Sequence, residues 1–149
     1  MSGLCLLPDG RLASGSYDDT VRLWDVRTCI ETDCLEVTGR PFFNLRYPDG
    51  RLASGSDDKT IRLWDITNGS KTASLEGHTH GVTALCLVPN GWLASGSNDN
   101  TVRLWDVAAG TEVACLELDA PVKALVTLPP QRIVAGDERG VLHWLEVLA

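Results

Sequence analysis

Three side chains of the kinds that build a nucleophilic site occur within a short stretch of this chain: His78, Ser95 and Asp99. A serine hydroxyl attacks a carbonyl only when an imidazole takes its proton and a carboxylate holds that imidazole in the correct tautomer, so this set is the minimum for acyl transfer. The serine, however, lies inside the phrase ASGS, which recurs around Ser14 and Ser54 with no histidine to serve either copy. A residue repeated for one purpose is a poor nucleophile for another, and no elbow or oxyanion loop surrounds Ser95. A hydrolase using the three is therefore the weaker reading. His78 and His80 share a loop but lack a third ligand at a useful spacing, so they read as one buried histidine and one solvated neighbour, and no metal or cofactor is expected. The five cysteines are an odd number with no C-x-x-C pair. Cys5 and Cys86, and Cys34 and Cys115, recur at equivalent places and read as small packing residues, while Cys29 falls in a turn where it is expected to be exposed.

The elements that must position these residues come from a repeat. The phrase PNGWLASGSNDNTVRLWD, residues 89–106, has close copies at 8–25 and 48–65, and a worn fourth, PPQRIVAGDERGVLHWLE, at 129–146. Aligned on Trp24, Trp64, Trp105 and Trp144, the copies are 40, 41 and 39 residues apart, enough for a small fold of their own. LASGS reads as a short strand, DDT or DNT as a tight polar turn, and TVRLWD as a strand with Val and Leu on one face and Arg and Trp on the other. PDG or PNG supplies a turn before it, because Pro presets φ and Gly tolerates the left-handed residue. Apolar runs such as ALCLVP precede that turn, and half-exposed runs such as KTASLE follow the tryptophan. Each unit is thus a four-stranded antiparallel meander, and the fold class is all-β.

With these residues in view, the chain resembles the C-terminal part of a WD40-repeat β-propeller over essentially its whole length. The pairs Trp24-Asp25, Trp64-Asp65 and Trp105-Asp106, the SGS strands and Gly77-His78 carry the resemblance. It implies three complete blades, at about 3–37, 40–77 and 80–118, and a three-stranded fourth at about 121–149, packed radially round a channel. It implies also that His78, Ser95, Asp99 and Trp105 form a structural hydrogen-bond relay, complete in the third blade alone. The first two blades lack the histidine, which should leave their turn acids freer. Contacts in such proteins are made by the residue at or before the tight-turn acid, here Tyr17, Asp57, Asn98 and Asp137, and by the loop between blades, here Arg40 and His80. The expected partner is a protein or peptide, a basic one being favoured because Asp18, Asp19, Asp57, Asp58 and Asp99 share these turns.

Two segments depart from the pattern. In VTGRPFFNLRY, Gly39-Arg40 stands where Gly-His is expected, and Phe42 and Phe43 are expected to fill the gap between blades rather than to anchor a partner. In the fourth unit the turn is one residue short, Trp144 is followed by Leu145-Glu146, and the last strand, 141–147, has no outer strand after it.

Composition excludes several classes. A net charge of −7 with no basic patch argues against nonspecific nucleic-acid or anionic-membrane binding. The opening MSGLCLLPDG has neither the charged start nor the apolar length of a signal peptide or membrane span, so a cytoplasmic protein is expected. The most economical function is a protein-interaction scaffold without catalysis; the alternative is a set of structural blades completing a larger propeller in a longer regulatory protein. Fifteen strands leave two raw ends with apolar faces, LCLLP and VLHWLEVLA. More blades in cis, or a homodimer closing an eight-bladed ring, are expected to cover them.

Overall fold

The structure is a computed structural model that describes residues 1–47 and 49–148, and of residues 42–46 the backbone only. It is all-β. β1 (Gly3–Leu6), β2 (Arg11–Gly15), β3 (Thr20–Asp25) and β4 (Ile30–Glu36) form the first antiparallel sheet. β5 (Pro41–Arg46), β6 (Arg51–Ser56), β7 (Ile61–Asp65) and β8 (Ser70–Leu75) form the second, and β9 (Val82–Leu87), β10 (Leu93–Ser97), β11 (Thr101–Asp106) and β12 (Thr111–Glu117) the third. β13 (Val122–Leu128), β14 (Arg132–Asp137) and β15 (Leu142–Glu146) make a fourth sheet of three strands. Each sheet is a simple meander whose strand order follows the chain, as the repeated hairpin turns require.

The register between second and third strands explains the repeat. Leu12 pairs with Trp24, Leu52 with Trp64 and Leu93 with Trp105, so one face of each of the first three sheets carries a Leu, a Ser, an Arg and the Trp. The opposite face carries Ala13, Val21 and Leu23, or their equivalents Ala53, Ile61 and Leu63. These two faces meet between neighbouring sheets. Leu52, Trp64 and Ile66 of the second sheet pack on Ala13, Val21, Leu23 and Leu35 of the first. Leu93, Trp105 and Val107 pack on Ala53, Ile61, Leu63 and Leu75, and Ile133 and Val147 on Cys86, Val88 and Ala94. The core is thus a row of sandwiches between blades, driven by removal of these side chains from water.

Glycine in the second strand is what lets the inner strands approach. A Cβ on Gly55 would lie 2.6 Å from Val82 Cγ1, and one on Gly96 2.4 Å from Val122 Cγ1, distances no real side chain tolerates. The SGS phrase is therefore a packing requirement of the joint to the next blade.

The register corrects one alignment. In the fourth sheet Ile133 pairs with Leu145 and Val134 with Trp144. Leu145, not Trp144, holds the place of Trp24, Trp64 and Trp105; the turn is not shortened as expected, since Gly136 pairs with Leu142 across a turn of the same length as that between Gly96 and Val102, and it is the tryptophan itself that comes one position early. A one-residue shift turns a side chain to the other face of a strand, and Trp144 accordingly lies on the face opposite the other three tryptophans. The expectation for Phe42 and Phe43 concerns side chains outside the described residues. Cys34 and Cys115 are exposed on the outer strands rather than packed, and Cys29 is exposed as well.

Candidate functional site

β10 and β11 present Ser95 and Trp105 on the face turned to the second sheet, the turn between them presents Asp99, and the loop from β8 to β9 presents His78. Trp105 Nε1 donates to Ser95 Oγ at 2.8 Å, Ser95 Oγ lies 2.7 Å from His78 Nε2, and His78 Nδ1 lies 2.8 Å from Asp99 Oδ2. With Asp99 ionised, Nδ1 carries the proton, Nε2 accepts, and the Ser95 hydroxyl donates to it. Asp99 also accepts from the Thr79 backbone N–H and the Thr101 hydroxyl, at 3.0 and 2.6 Å. Burial works to raise the Asp99 pKa, but the bonds from Thr101, Thr79 and His78 outweigh it and hold the carboxyl at about 2. Burial lowers the His78 pKa, and the Asp99 carboxylate opposes this without overcoming it.

The order of atoms is that of a nucleophilic triad, and its surroundings are not. Ser95 is fully buried, and its oxygen both donates to His78 and accepts from Trp105. A carbonyl carbon could reach it only by opening the joint between two blades. What the arrangement does is fasten the loop between blades to the blade that follows. Gly77 is part of this: a Cβ there would come within 3.1 Å of the Trp105 ring and of Glu112.

The other blades solve the same problem with different side chains. In the second, Thr38 stands as far beyond Leu35 as His78 does beyond the equivalent Leu75, and its hydroxyl donates to Asp58 at 2.8 Å. The Gly39-Arg40 alignment is thus corrected: the loop between the first two blades is one residue shorter, so Thr38 stands in the histidine's place. Arg62 completes the set, donating to the Thr38 carbonyl at 3.1 Å and to Asp58. Asp58 is thus internally bonded as Asp99 is, although its side chain is more open, 23% exposed against 4%. Burial would raise its pKa, yet Thr60, Arg62 and Thr38 hold it at about 2. In the first blade Asp18 accepts from Thr20 at 2.6 Å and from Arg22 at 3.2 Å. In the fourth, His143 Nε2 lies 3.0 Å from Asp137 Oδ2, which also serves the Arg139 and Val141 amides through Oδ1. Asp137 is buried; the residue at the position of Asp57 and Asn98 is Glu138, whose amide donates to Pro121 O as Asp57 does to Arg40 O and Asn98 to Gly81 O. The acids of the Trp-Asp pairs work at the opposite end, where Asp25, Asp65 and Asp106 accept from the amides of Arg27, Thr67 and Ala109 and shape the turn into the outer strand.

Tyr17, Arg40, Asp57, His80 and Asn98 lie at one end of the sheets, where second strands turn and outer strands cross to the next blade. All five are exposed. Tyr17 is 58% exposed, and the Arg40 guanidinium sits 5.0 Å above its ring, so these two candidates form one surface unit bridging two blades. Asn98 Oδ1 accepts from Lys123 at 2.7 Å. The turn acids are less available than their number implies, because Asp58 and Asp99 are internally bonded and Asp18 is paired with Arg22.

The sequence profile of the family described as WD domain, G-beta repeat matches residues 1–25, 47–65 and 69–106, more than half of the chain. The chain belongs to the WD40-repeat family. Among solved structures it is similar to the computationally designed Ika4 protein, with 25% identity, a TM-score of 0.87, and coverage of 99% of this chain and 91% of that one. It is similar also to the WD40 β-propeller domain of Doa1 (24% identity, TM-score 0.83, 90% of this chain and 46% of that one) and to U3-55K (23%, 0.89, 98% and 48%). The chain spans under half the length of the latter two. No curated protein matches it significantly. As many as 1147 solved chains share the likeness, so the fold alone assigns no activity.

In this WD40 chain sequence reasoning missed three functional placements: Thr38 with Arg62, His143 with Asp137, and Glu138 on the rim. Arg62 was legible in principle, since Arg22, Arg62 and Arg103 all stand four residues after a turn acid. Among the described residues no group of three or more His, Cys, Asp or Glu is arranged to hold a metal. His78 has both ring nitrogens engaged, and His80 is exposed beside Thr79.

Proposed function

We propose that the chain is a protein-interaction scaffold without catalysis, contacting its partner through the rim that carries Tyr17, Arg40, Asp57, His80 and Asn98. The observation that carries this reading is the division of the polar residues. Those that could do chemistry are buried and bonded to one another between blades, whereas those that differ from copy to copy are exposed on a common end. The backbone beneath the rim is held by the relay and its counterparts, which gives a preorganised surface that loses little freedom on binding. The stacked Tyr17 and Arg40 supply the kind of aromatic and guanidinium anchor that dominates interface energetics. Asp19 and Asp57 are exposed rim acids that form no ion pair among the described residues, and they favour a basic group on the partner opposite them. None of Cys29, Cys34, Cys86 and Cys115 is bridged, consistent with a reducing compartment such as the cytoplasm.

The test is a binding comparison of rim and anti-rim variants, each checked for an unchanged circular dichroism spectrum. Tyr17→Ala with Asp57→Ala should lower affinity for a captured partner at least tenfold, while Arg27→Ala, in the exposed turn at the opposite end, should not. Equal loss, or loss with Arg27→Ala alone, moves the site to the other face.

A further inference from the structure

We propose that two copies of this chain close on each other, first blade against fourth at both joints, to make one eight-bladed ring. The argument starts from residues that hold the same register in every blade. Val21, Ile61, Val102 and Leu142 are equivalent, as are Leu23, Leu63, Leu104 and Trp144. In the first two blades all four of these side chains are 0% exposed because the next blade covers them; Leu142 and Trp144 are 58% and 65% exposed. The first blade shows the complementary half. Leu4 holds the place of the buried Leu85, and Val26 that of the buried Ile66 and Val107, yet both are exposed. Shallow depressions mark the two faces, one lined by Met1, Ser14 and Trp24, the other by Arg132, Trp144 and Glu146.

These are not two generic apolar patches. They are the two halves of a joint that the chain already makes three times, and the surface that matches both at once is a second copy in the same order. One detail makes the fit specific. Gly55 and Gly96 admit Val82 and Val122, the residues two ahead of Ala84 and Ala124 on the next inner strand. Gly136 is their equivalent, and nothing fills the slot: a Cβ there would meet no neighbour nearer than 3.7 Å. The residue two ahead of Gly3 is Met1, exposed in the single chain. Across the first joint Arg11 Nη2 donates to Ile66 O at 2.5 Å; Arg132 holds the register of Arg11, and Val26 that of Ile66. The size agrees: the chain has the fold of about half of each of two larger solved chains, one a WD40 propeller domain. Joints of unlike faces close into a ring when a two-fold axis runs along the channel.

The 149-residue chain tests this by light scattering and sedimentation at micromolar concentration. The mass should be that of two 16.1 kDa chains, and Trp144 fluorescence should be shielded from acrylamide. Gly136→Val should give a folded species of half that mass, because the added methyls occupy the slot for Met1 of the partner copy without crowding the chain's own atoms. Trp144→Glu is the second variant and should do the same. A wild-type monomer across the range, assemblies that lengthen without limit as concentration rises, or a dimer that survives either substitution overturns the proposal. Should Gly136→Val fail to fold, the mass of Trp144→Glu decides.

Discussion

Removal of the His78 imidazole is the perturbation whose cost follows most directly from the geometry. In His78→Ala the Ser95 hydroxyl loses its acceptor at 2.7 Å in a site without solvent access, a loss of about 1–3 kcal/mol. Asp99 loses one donor at 2.8 Å but keeps Thr79 and Thr101, so its share is that of a single charge-assisted bond, about 1.5–3 kcal/mol. The ring also leaves a void beside Trp105, whose centroid is 6.1 Å away. Because the three effects share atoms they do not add in full, and about 3 kcal/mol is expected. That is a large part of the 5–15 kcal/mol typical of a domain, and at a slope of about 1–3 kcal/mol per molar urea it lowers the unfolding midpoint by at least about 1 M. His78→Thr copies the solution that Thr38 provides in the second blade, restoring the bond to the turn acid but not the one to the serine. It should fall between wild type and His78→Ala. The assay is urea unfolding followed by tryptophan fluorescence, at one fixed protein concentration. Coincident midpoints for wild type and His78→Ala, or a threonine variant no better than alanine, would refute the reasoning.

The pH dependence has a definite sign. His78 has a folded pKa below its ordinary 6.5, so its share of stability is present above pH 6.5 and is lost as pH falls through the folded value; the decline between pH 7 and 5 should flatten in His78→Thr. Asp58 and Asp99, held at about 2 against an ordinary 3.8, contribute stability present above that value and lost as pH falls toward 2, which a titrated unfolding series would show as a second, steeper decline. Cys29 has φ 57° where Gly69 and Gly110 have φ 69°; Cys29→Gly removes about 1–2 kcal/mol of left-handed strain against about 0.5–1 kcal/mol of added chain entropy, so the melting temperature should rise by a few degrees. Gly96→Val drives a side chain into Val122, 2.4 Å from the new Cβ, and should cost more than about 2 kcal/mol by chemical denaturation.

The strands and their pairing were legible because the hairpin phrase repeats and its turns carry φ-specific residues: Asp19, Lys59 and Asn100 all take positive φ, as do Gly10, Gly50 and Gly91. The four relay residues were legible through resemblance, since nothing in the spacing of 78, 95, 99 and 105 says that a loop folds back on a turn. What could not be read was register where the pattern slips by one residue. In the fourth unit the turn keeps its length but the tryptophan comes one residue early, which places Leu145 in the tryptophan's position and exposes Trp144, although the sequence still shows a tryptophan nearly 40 residues after the last. A loop that is one residue shorter hid Thr38 behind Gly39-Arg40. The charge of the turn acids was also misjudged, because the arginine four residues on is on the same face and reaches back to the acid, a contact visible only once the hairpin is closed.

Photo-cross-linking from the two rims is the most direct measurement of the account's central claim. A photoreactive phenylalanine analogue is placed at position 17 in one sample and at position 27, in the turn at the opposite end, in another, and adducts formed in cell extract are identified by mass. The account predicts a discrete protein adduct from position 17 that is competed by unlabelled wild-type chain and reduced by Asp57→Ala, with none of that identity from position 27. The same adduct from position 27 alone, or equally from both, would contradict it.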